Sequence, residues 1–283
     1  MMDAYDLVRK ECLRRGLSHR TITTYVFCLK TFFKKCKKDP PSVTKADIRA
    51  YLDDLIEKGA AGNTINVHLS ALTFFFEEIL CRRLLLYVTY SKTPKTLPTV
   101  LTQEETTRLF AVITNKKHQL MVKLMYGAGL RVSELVSMRV HDLDLHRGYG
   151  WVRKGKGNKD RMFVIPDSLL GDLKNHITNN TSQAPDYLFL GRKGHHLHQR
   201  SVAALVKRAA KKAHIEKNVH PHTLRHSFAT HLIENGYDVA SVQTLLGHSS
   251  IGTTMRYLHM APSKMINVKS PLDMLKKEPI EQP

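Results

Sequence analysis

Apolar residues in the first third of the chain recur every three or four positions, the period of helices with one buried face. The stretch Y-D-L-V-R-K-E-C-L-R-R predicts a first helix that ends at Gly16, a residue suited to a helix C-terminus. Ser18 is placed to cap a second helix, with Ile22, Tyr25, Val26, Leu29, Phe32 and Phe33 as its apolar stripe. Asp39-Pro40-Pro41-Ser42 breaks the chain. Thr44, followed three positions on by Asp47, opens a third helix that stops at Gly59. A fourth begins near Asn63 and carries Ile65, Leu69, Leu72, Phe75, Phe76 and Ile79 on its apolar face. Four helices with short joints predict a small bundle over residues 1–88.

Residues 89–100 hold two prolines and no period, which predicts an extended linker. Beyond it, Thr102 and Glu105 form a capping-box pattern ahead of helices at about 103–114 and 117–127. Gly127 and Gly129 then interrupt the pattern, and a new helical turn starts at Arg131 or Ser133. Residues 149–166 read as a β-hairpin: Trp151 and Val152 lead in, Met162 to Ile165 lead out, and the loop is K-G-K-G-N-K-D. A helix, the apolar run P-D-Y-L-F-L, a Gly- and His-rich loop and a helix at about 199–213 follow. The expected fold is mainly α with a small β-hairpin sheet. Its domains are a helical one at 1–88, a linker at 89–100, a second at 101–260 and a tail at 261–283.

Charge narrows the partners. Of 283 residues, 44 are Lys or Arg and 25 are Asp or Glu, a net charge of +19. Residues 91–283 account for +14 of it. Such an excess favours a polyanionic partner such as nucleic acid or an anionic membrane. No apolar run approaches the roughly 18 residues of a spanning helix, and the start M-M-D-A-Y-D is no signal peptide. The expectation is a cytoplasmic, nucleoid-associated protein with no membrane partner. Cys12, Cys28, Cys36 and Cys81 contain no C-x-x-C spacing and read as reduced thiols. His195, His196 and His198 lack Asp, Glu or Cys company at metal spacing, so no metal or other cofactor is expected.

The candidate chemistry gathers in H-T-L-R-H-S-F-A-T-H and L-L-G-H-S-S-I-G-T-T-M-R-Y. His222 and Arg225 stand three apart and share a helix face. Gly247 permits a tight turn before His248, and Tyr257 offers a hydroxyl nucleophile. Arg131 sits at a turn with Glu134 three residues on, placed to hold its guanidinium. Lys156 lies between two glycines at the hairpin tip. Tyr237 is the other phenol nearby.

Taken together, G-A-G-L-R-V-S-E-L around Arg131, G-K-G-N-K-D-R around Lys156, P-H-T-L-R-H around His222 and Arg225, and L-G-H-S-S-I-G-T-T-M-R-Y resemble the tyrosine site-specific recombinases, or phage-integrase family. The match runs from about 101 to 260, and the R-T-I-T-T-Y segment is similar to that family's core-DNA-binding domain. The resemblance is strongest to compact Xer recombinases and similar integrases of mobile elements. No additional N-terminal domain is expected, and S-P-L-D after Tyr257 is reminiscent of mobile-element enzymes.

The resemblance implies two domains that clamp duplex DNA carrying a specific core site. Strand exchange would pass through a 3′-phosphotyrosine and a Holliday junction, without metal or ATP. It makes Tyr257 the nucleophile, Arg131 and Arg225 the phosphate clamps, His248 a phosphate donor, His222 the base and Lys156 the general acid. Arg20, Lys92, Lys95, Arg153, Lys154, Lys159 and Arg161 are expected DNA contacts. A tetramer on DNA, a second related recombinase and docking of the tail on a neighbouring protomer belong to the same expectation. Two rivals remain: a type IB topoisomerase of the same chemistry, and a non-catalytic regulator built on a helix–turn–helix at 239–257.

Overall fold

The structure is a computed structural model and describes residues 4–84, 91, 97–153, 160–179, 187–191 and 197–247. It divides into two compact units, Met1–Thr96 and Leu97–Pro283.

The first unit is a bundle of α1 (Ala4–Arg14), α2 (His19–Cys36), α3 (Lys45–Glu57) and α4 (Gly62–Thr73). The caps anticipated from sequence are made. Ser18 accepts from the Thr21 amide, and Thr44 and Asp47 complete a reciprocal capping box. The apolar stripes meet around Phe32, whose ring stands edge-on to Tyr51 at 5.1 Å and to Phe76 at 6.1 Å. Such fully buried rings each contribute about 1.5–3 kcal/mol of hydrophobic stabilisation.

The end of the fourth helix differs from the expected continuous α-helix. After Thr73 the chain widens into a π-helical segment, Phe74–Ile79, closed by the Leu80 amide on the Phe75 carbonyl at 3.0 Å. Successive residues of an α-helix point about 100° apart, so three in a row do not share one face. The wider turn lets Phe74, Phe75 and Phe76 all bury. Arg82 then donates to the carbonyls of Pro40 at 2.5 Å and Val43 at 2.8 Å, fastening the helix exit to the joint between α2 and α3.

The second unit contains α5 (Gln103–Ala111), α6 (Lys116–Gly127), α7 (Val132–Ser137), α8 (Asp167–Thr178), α9 (Gln199–Lys212), α10 (Pro221–Glu234) and α11 (Val239–Leu246). An antiparallel sheet of β1 (Leu143–Asp144), β2 (Tyr149–Val152) and β3 (Arg161–Val164) completes it, in the order β1-β2-β3. The hairpin register pairs Trp151 with Met162 and Val152 with Arg161. The short β1 was not expected: two residues carry no readable alternation.

Helix α10 is central, packed against α6, α9 and α11. It buries Leu224, Ala229 and Ile233 but also Thr223, Arg225, Ser227 and His231. Its polar groups hold the start of the unit. The Leu101 amide donates to Ser227 Oγ at 2.9 Å, and the Leu101 carbonyl lies 2.9 Å from His231 Nε2. A carbonyl only accepts, so His231 donates from Nε2, and its Nδ1 lies 2.7 Å from the Tyr126 hydroxyl. Both backbone groups of Leu101 are thereby satisfied deep in the fold.

Among the described residues no helix is long and apolar enough to cross a membrane. Cys12 and Cys28 are buried, Cys36 half-buried and Cys81 exposed, all as free thiols.

Tyr51 and His68 form a buried pair in the first unit, hydroxyl to Nδ1 at 2.8 Å. Burial raises the pKa of the phenol and lowers that of the imidazole, so both favour their neutral forms. A histidine with a lowered folded pKa gives its full stability above the unfolded value. That stability is lost as pH falls below about 6.5 and on through the folded pKa. The thermal midpoint of the parent should therefore fall toward that of His68→Gln as pH drops from about 7.5 to about 5.5. Melting curves of both proteins at the two pH values check this; a constant difference rejects it.

Candidate active site

Three arginines converge on one carboxylate. Glu134 lies in the first turn of α7, with only 4% of its side chain exposed. Its Oε2 accepts from the Arg131 amide at 2.9 Å, the return bond of an N-terminal cap. Its Oε1 accepts from Arg131 Nη1 at 2.7 Å. Arg161, at the start of β3, donates from Nη2 to Oε2 at 2.7 Å. Arg225 Nη1 stands 3.9 Å from the same oxygen. Burial would raise the Glu134 pKa, but the Arg161 charge, the Arg131 amide and the Arg225 and Arg131 charges outweigh it and hold the pKa below the usual carboxylate value.

Arg225 also donates to two neutral acceptors. Nη1 donates to the Gly129 carbonyl at 2.6 Å and Nη2 to the Leu246 carbonyl at 2.5 Å. Backbone dipoles orient the guanidinium without cancelling its charge. The local fold supplies those carbonyls. Helix α6 ends in a Schellman turn, with Leu130 N on Met125 O at 3.0 Å and Gly129 N on Tyr126 O at 3.2 Å. Gly129 adopts φ +59°, and a Cβ there would lie 2.5 Å from the Phe228 ring.

His222 occupies the first turn of α10, one helical turn before Arg225, and its outer face is exposed. Partial burial of the ring, then the positive surroundings of His220, Arg225 and Arg131, lower its pKa below the ordinary imidazole value. It is neutral at neutral pH and free to accept a proton. Arg131 keeps 19% of its side chain exposed, whereas Arg225 keeps 3%. The cluster holds two more positive charges than negative ones, an arrangement that calls for an anion. Among the described residues no three His, Cys, Asp or Glu groups gather as metal ligands.

The profile of the phage integrase family matches residues 99–264, and that of the phage integrase N-terminal SAM-like domain matches residues 5–85. The chain belongs to the phage integrase family. It is thus an Xer-like tyrosine recombinase, an enzyme of site-specific DNA recombination. The tyrosine recombinase XerA of Pyrococcus furiosus is 38% identical over 247 residues, covering 86% of this chain and 84% of that protein. An integrase/recombinase of Escherichia coli is 32% identical over 314 residues, with 95% and 93% covered. The crystal structure of XerA recombinase aligns with TM-score 0.57 at 28% identity, covering 95% of this chain and 99% of that one. XerH site-specific recombinase, in a post-cleavage complex with a palindromic difH substrate, shares the fold with TM-score 0.72 at 24% identity, over 94% and 84% of the two chains.

Of the site residues singled out from sequence, Arg131, Glu134, His222 and Arg225 lie in the second unit as described above. Lys156, His248 and Tyr257 lie outside the described residues, as do Lys92, Lys95, Lys154, Lys159, His195, His196 and the tail. His198 serves as a helix cap: its Nδ1 accepts from the Arg200 amide at 3.0 Å. Arg20 is exposed on the first turn of α2. Arg153 lies 5.0 Å over the Trp151 ring and pairs with Asp160 at 3.0 Å. Tyr237 lines an apolar groove with Phe163, Phe228, Leu232 and Leu245, and no arginine among the described residues lines that groove.

Arg161, expected from sequence as a DNA contact, has only 10% of its side chain exposed and bonds to Glu134 and the Leu245 carbonyl. Strand alternation held the signal: Arg161 shares a face with Phe163, which is buried, while Met162 and Val164 face outward.

Glu134→Ala should destabilise the protein by about 3–5 kcal/mol, since three guanidiniums lose their shared counter-charge. Glu134→Gln should cost less, because an amide oxygen still accepts from Arg131. Chemical unfolding of the variants measures both; a neutral Ala variant would remove Glu134 as the organiser of the cluster.

Proposed function

We propose that the chain cuts and rejoins duplex DNA at a specific core site through a 3′-phosphotyrosine, with Tyr257 as nucleophile. The observation that supports this most is the surplus of positive charge at half-buried Arg131 and Arg161 and buried Arg225 around the carboxylate of Glu134. A phosphate passing to a phosphorane-like transition state gains negative charge on its equatorial oxygens. Arginine forks match those oxygens in charge and geometry.

In the proposed step the Tyr257 oxygen bonds to phosphorus as the bond to the 5′ oxygen breaks. His222 takes the phenol proton, a role suited to an imidazole kept neutral by its surroundings. Arg131 and Arg225 hold the non-bridging oxygens, His248 adds a hydrogen bond, and Lys156 protonates the departing 5′ oxygen. The phosphodiester energy is retained in the phosphotyrosine, so no ATP is consumed. A 5′ hydroxyl of a second duplex then attacks phosphorus and releases Tyr257, giving a Holliday junction. The guanidinium charge serves the purpose that a divalent ion serves in other phosphoryl-transfer sites.

Duplex DNA is the proposed partner; XerH, of the same fold, is solved on its difH substrate. Arg20, Lys92, Lys95, Arg153, Lys154 and Lys159 are the proposed contacts to its backbone. The first unit at 1–88, a linker at 89–100 and the catalytic unit at 101–260 act together on DNA in a tetramer, closed by tails at 261–283 and sited in the nucleoid. Resolution of chromosome dimers and integration of mobile elements suit this chemistry equally.

Two outcomes test the reading. The parent should form a covalent adduct on a nicked duplex in excess EDTA, and Tyr257→Phe should bind DNA but form none, as read on denaturing gels. A full-yield adduct in Tyr257→Phe would move the nucleophile to Tyr237.

Lys156→Ala should bind DNA almost as the parent does but cleave roughly a hundredfold or more slowly. A bridging 5′ sulfur leaves without a proton. It should restore cleavage in Lys156→Ala and not in Arg131→Ala. Rescue of both variants, or of neither, rejects Lys156 as the acid.

A further inference from the structure

Arg161 is not part of the cleavage step proposed above, yet, like Arg225, it joins three separate elements of the site. Its backbone opens β3, the strand leading out of the hairpin loop. Nη2 reaches Glu134 Oε2 in α7 at 2.7 Å, and Nη1 reaches the Leu245 carbonyl in the last turn of α11 at 2.7 Å. Its neighbour Arg225 holds the very next carbonyl, Leu246. The two arginines thus share Glu134 at one end and consecutive α11 carbonyls at the other.

The fit is close. Gly247 takes φ +62° to end α11, and a Cβ on it would lie 2.6 Å from Arg161 Cδ. The aliphatic stem of Arg161 therefore runs against a turn that only a glycine allows. Its buried Nε finds no hydrogen-bond partner among the described residues. That donor is left unpaired while both Nη groups are used, so the guanidinium's orientation is set by the bridge between Glu134 and Leu245.

We propose that Arg161 is a positioning residue for strand transfer, a strut that sets the hairpin strand and the end of α11 in register with Arg131 and Arg225. Arg161 stands five residues after Lys156, and Leu245 three residues before His248. The strut thus holds the strand that follows Lys156 in the chain and the helix end that precedes His248. It touches no substrate in this role. A lysine would keep the charge opposite Glu134, but one nitrogen does not reproduce a two-nitrogen bridge.

The proposal rests on the recombinase reading, and its test separates the two. Arg161→Lys and Arg161→Ala are compared with the parent on a nicked duplex, with DNA affinity and single-turnover cleavage measured separately. Arg161→Lys should fold and bind DNA as the parent does, yet cleave roughly tenfold to a hundredfold more slowly, the scale of an ångström-sized misplacement. Amide exchange in 161–164 and 244–247 should quicken in the same variant. Parental cleavage in Arg161→Lys, or a loss of affinity as large as the loss of rate, overturns the strut. If Arg161→Ala does not fold, Arg161→Lys carries the test alone. If the parent forms no adduct, the recombinase reading fails. Amide exchange then still decides whether Arg161 ties β3 to α11, and unchanged exchange overturns it.

Discussion

The buried carboxylate of Glu134 is the constraint on which the second unit's functional face depends. Three guanidiniums brought together without it would repel one another in a medium that screens poorly. With it, Arg131 and Arg161 gain short charged hydrogen bonds. Arg225 remains at 3.9 Å, near enough for attraction and too far to be neutralised by direct contact. One negative charge suffices to assemble the group and leaves it electropositive.

How Arg225 is held explains why the surplus survives. A guanidinium gripped by two carboxylates would be rigid but spent. Here the carbonyls of Gly129 and Leu246 supply rigidity through dipoles. The Leu246 carbonyl ends α11 and so lacks a partner within that helix, and the Gly129 carbonyl lies in the turn just past the end of α6. Both ends turn on residues with positive φ, Gly129 and Gly247. Helix termination and catalytic-site construction are here the same event.

The scaffold under this arrangement is α10, a helix that buries polar residues on several faces. Burial of such groups is costly unless they are paired. Ser227 and His231 are paired with the backbone of Leu101, and His231 with Tyr126. The first residues of the unit are thereby pinned to the helix that carries His222 and Arg225. The first unit relies on a different device, a π-helical segment that buries three consecutive phenylalanines.

Much of this was legible in the chain itself. Local chemistry determined the helix starts at Ser18, Thr44 and Thr102, the break at Gly129 and the hairpin ending in Met162 to Ile165, because caps, turns and strand alternation depend on near neighbours. The pairing of Arg131 with Glu134, three residues apart, is likewise a local event. Tertiary structure alone decided the rest. Arg161 lies 27 residues from Glu134 and 84 from Leu245, so no local rule joins them. The carbonyls that hold Arg225 carry no side-chain signature, since every residue has one and only the fold selects which lie free. The widening at Phe74–Ile79 arose because a packed core required three adjacent rings on one side, a demand that exists only once the other helices are in place.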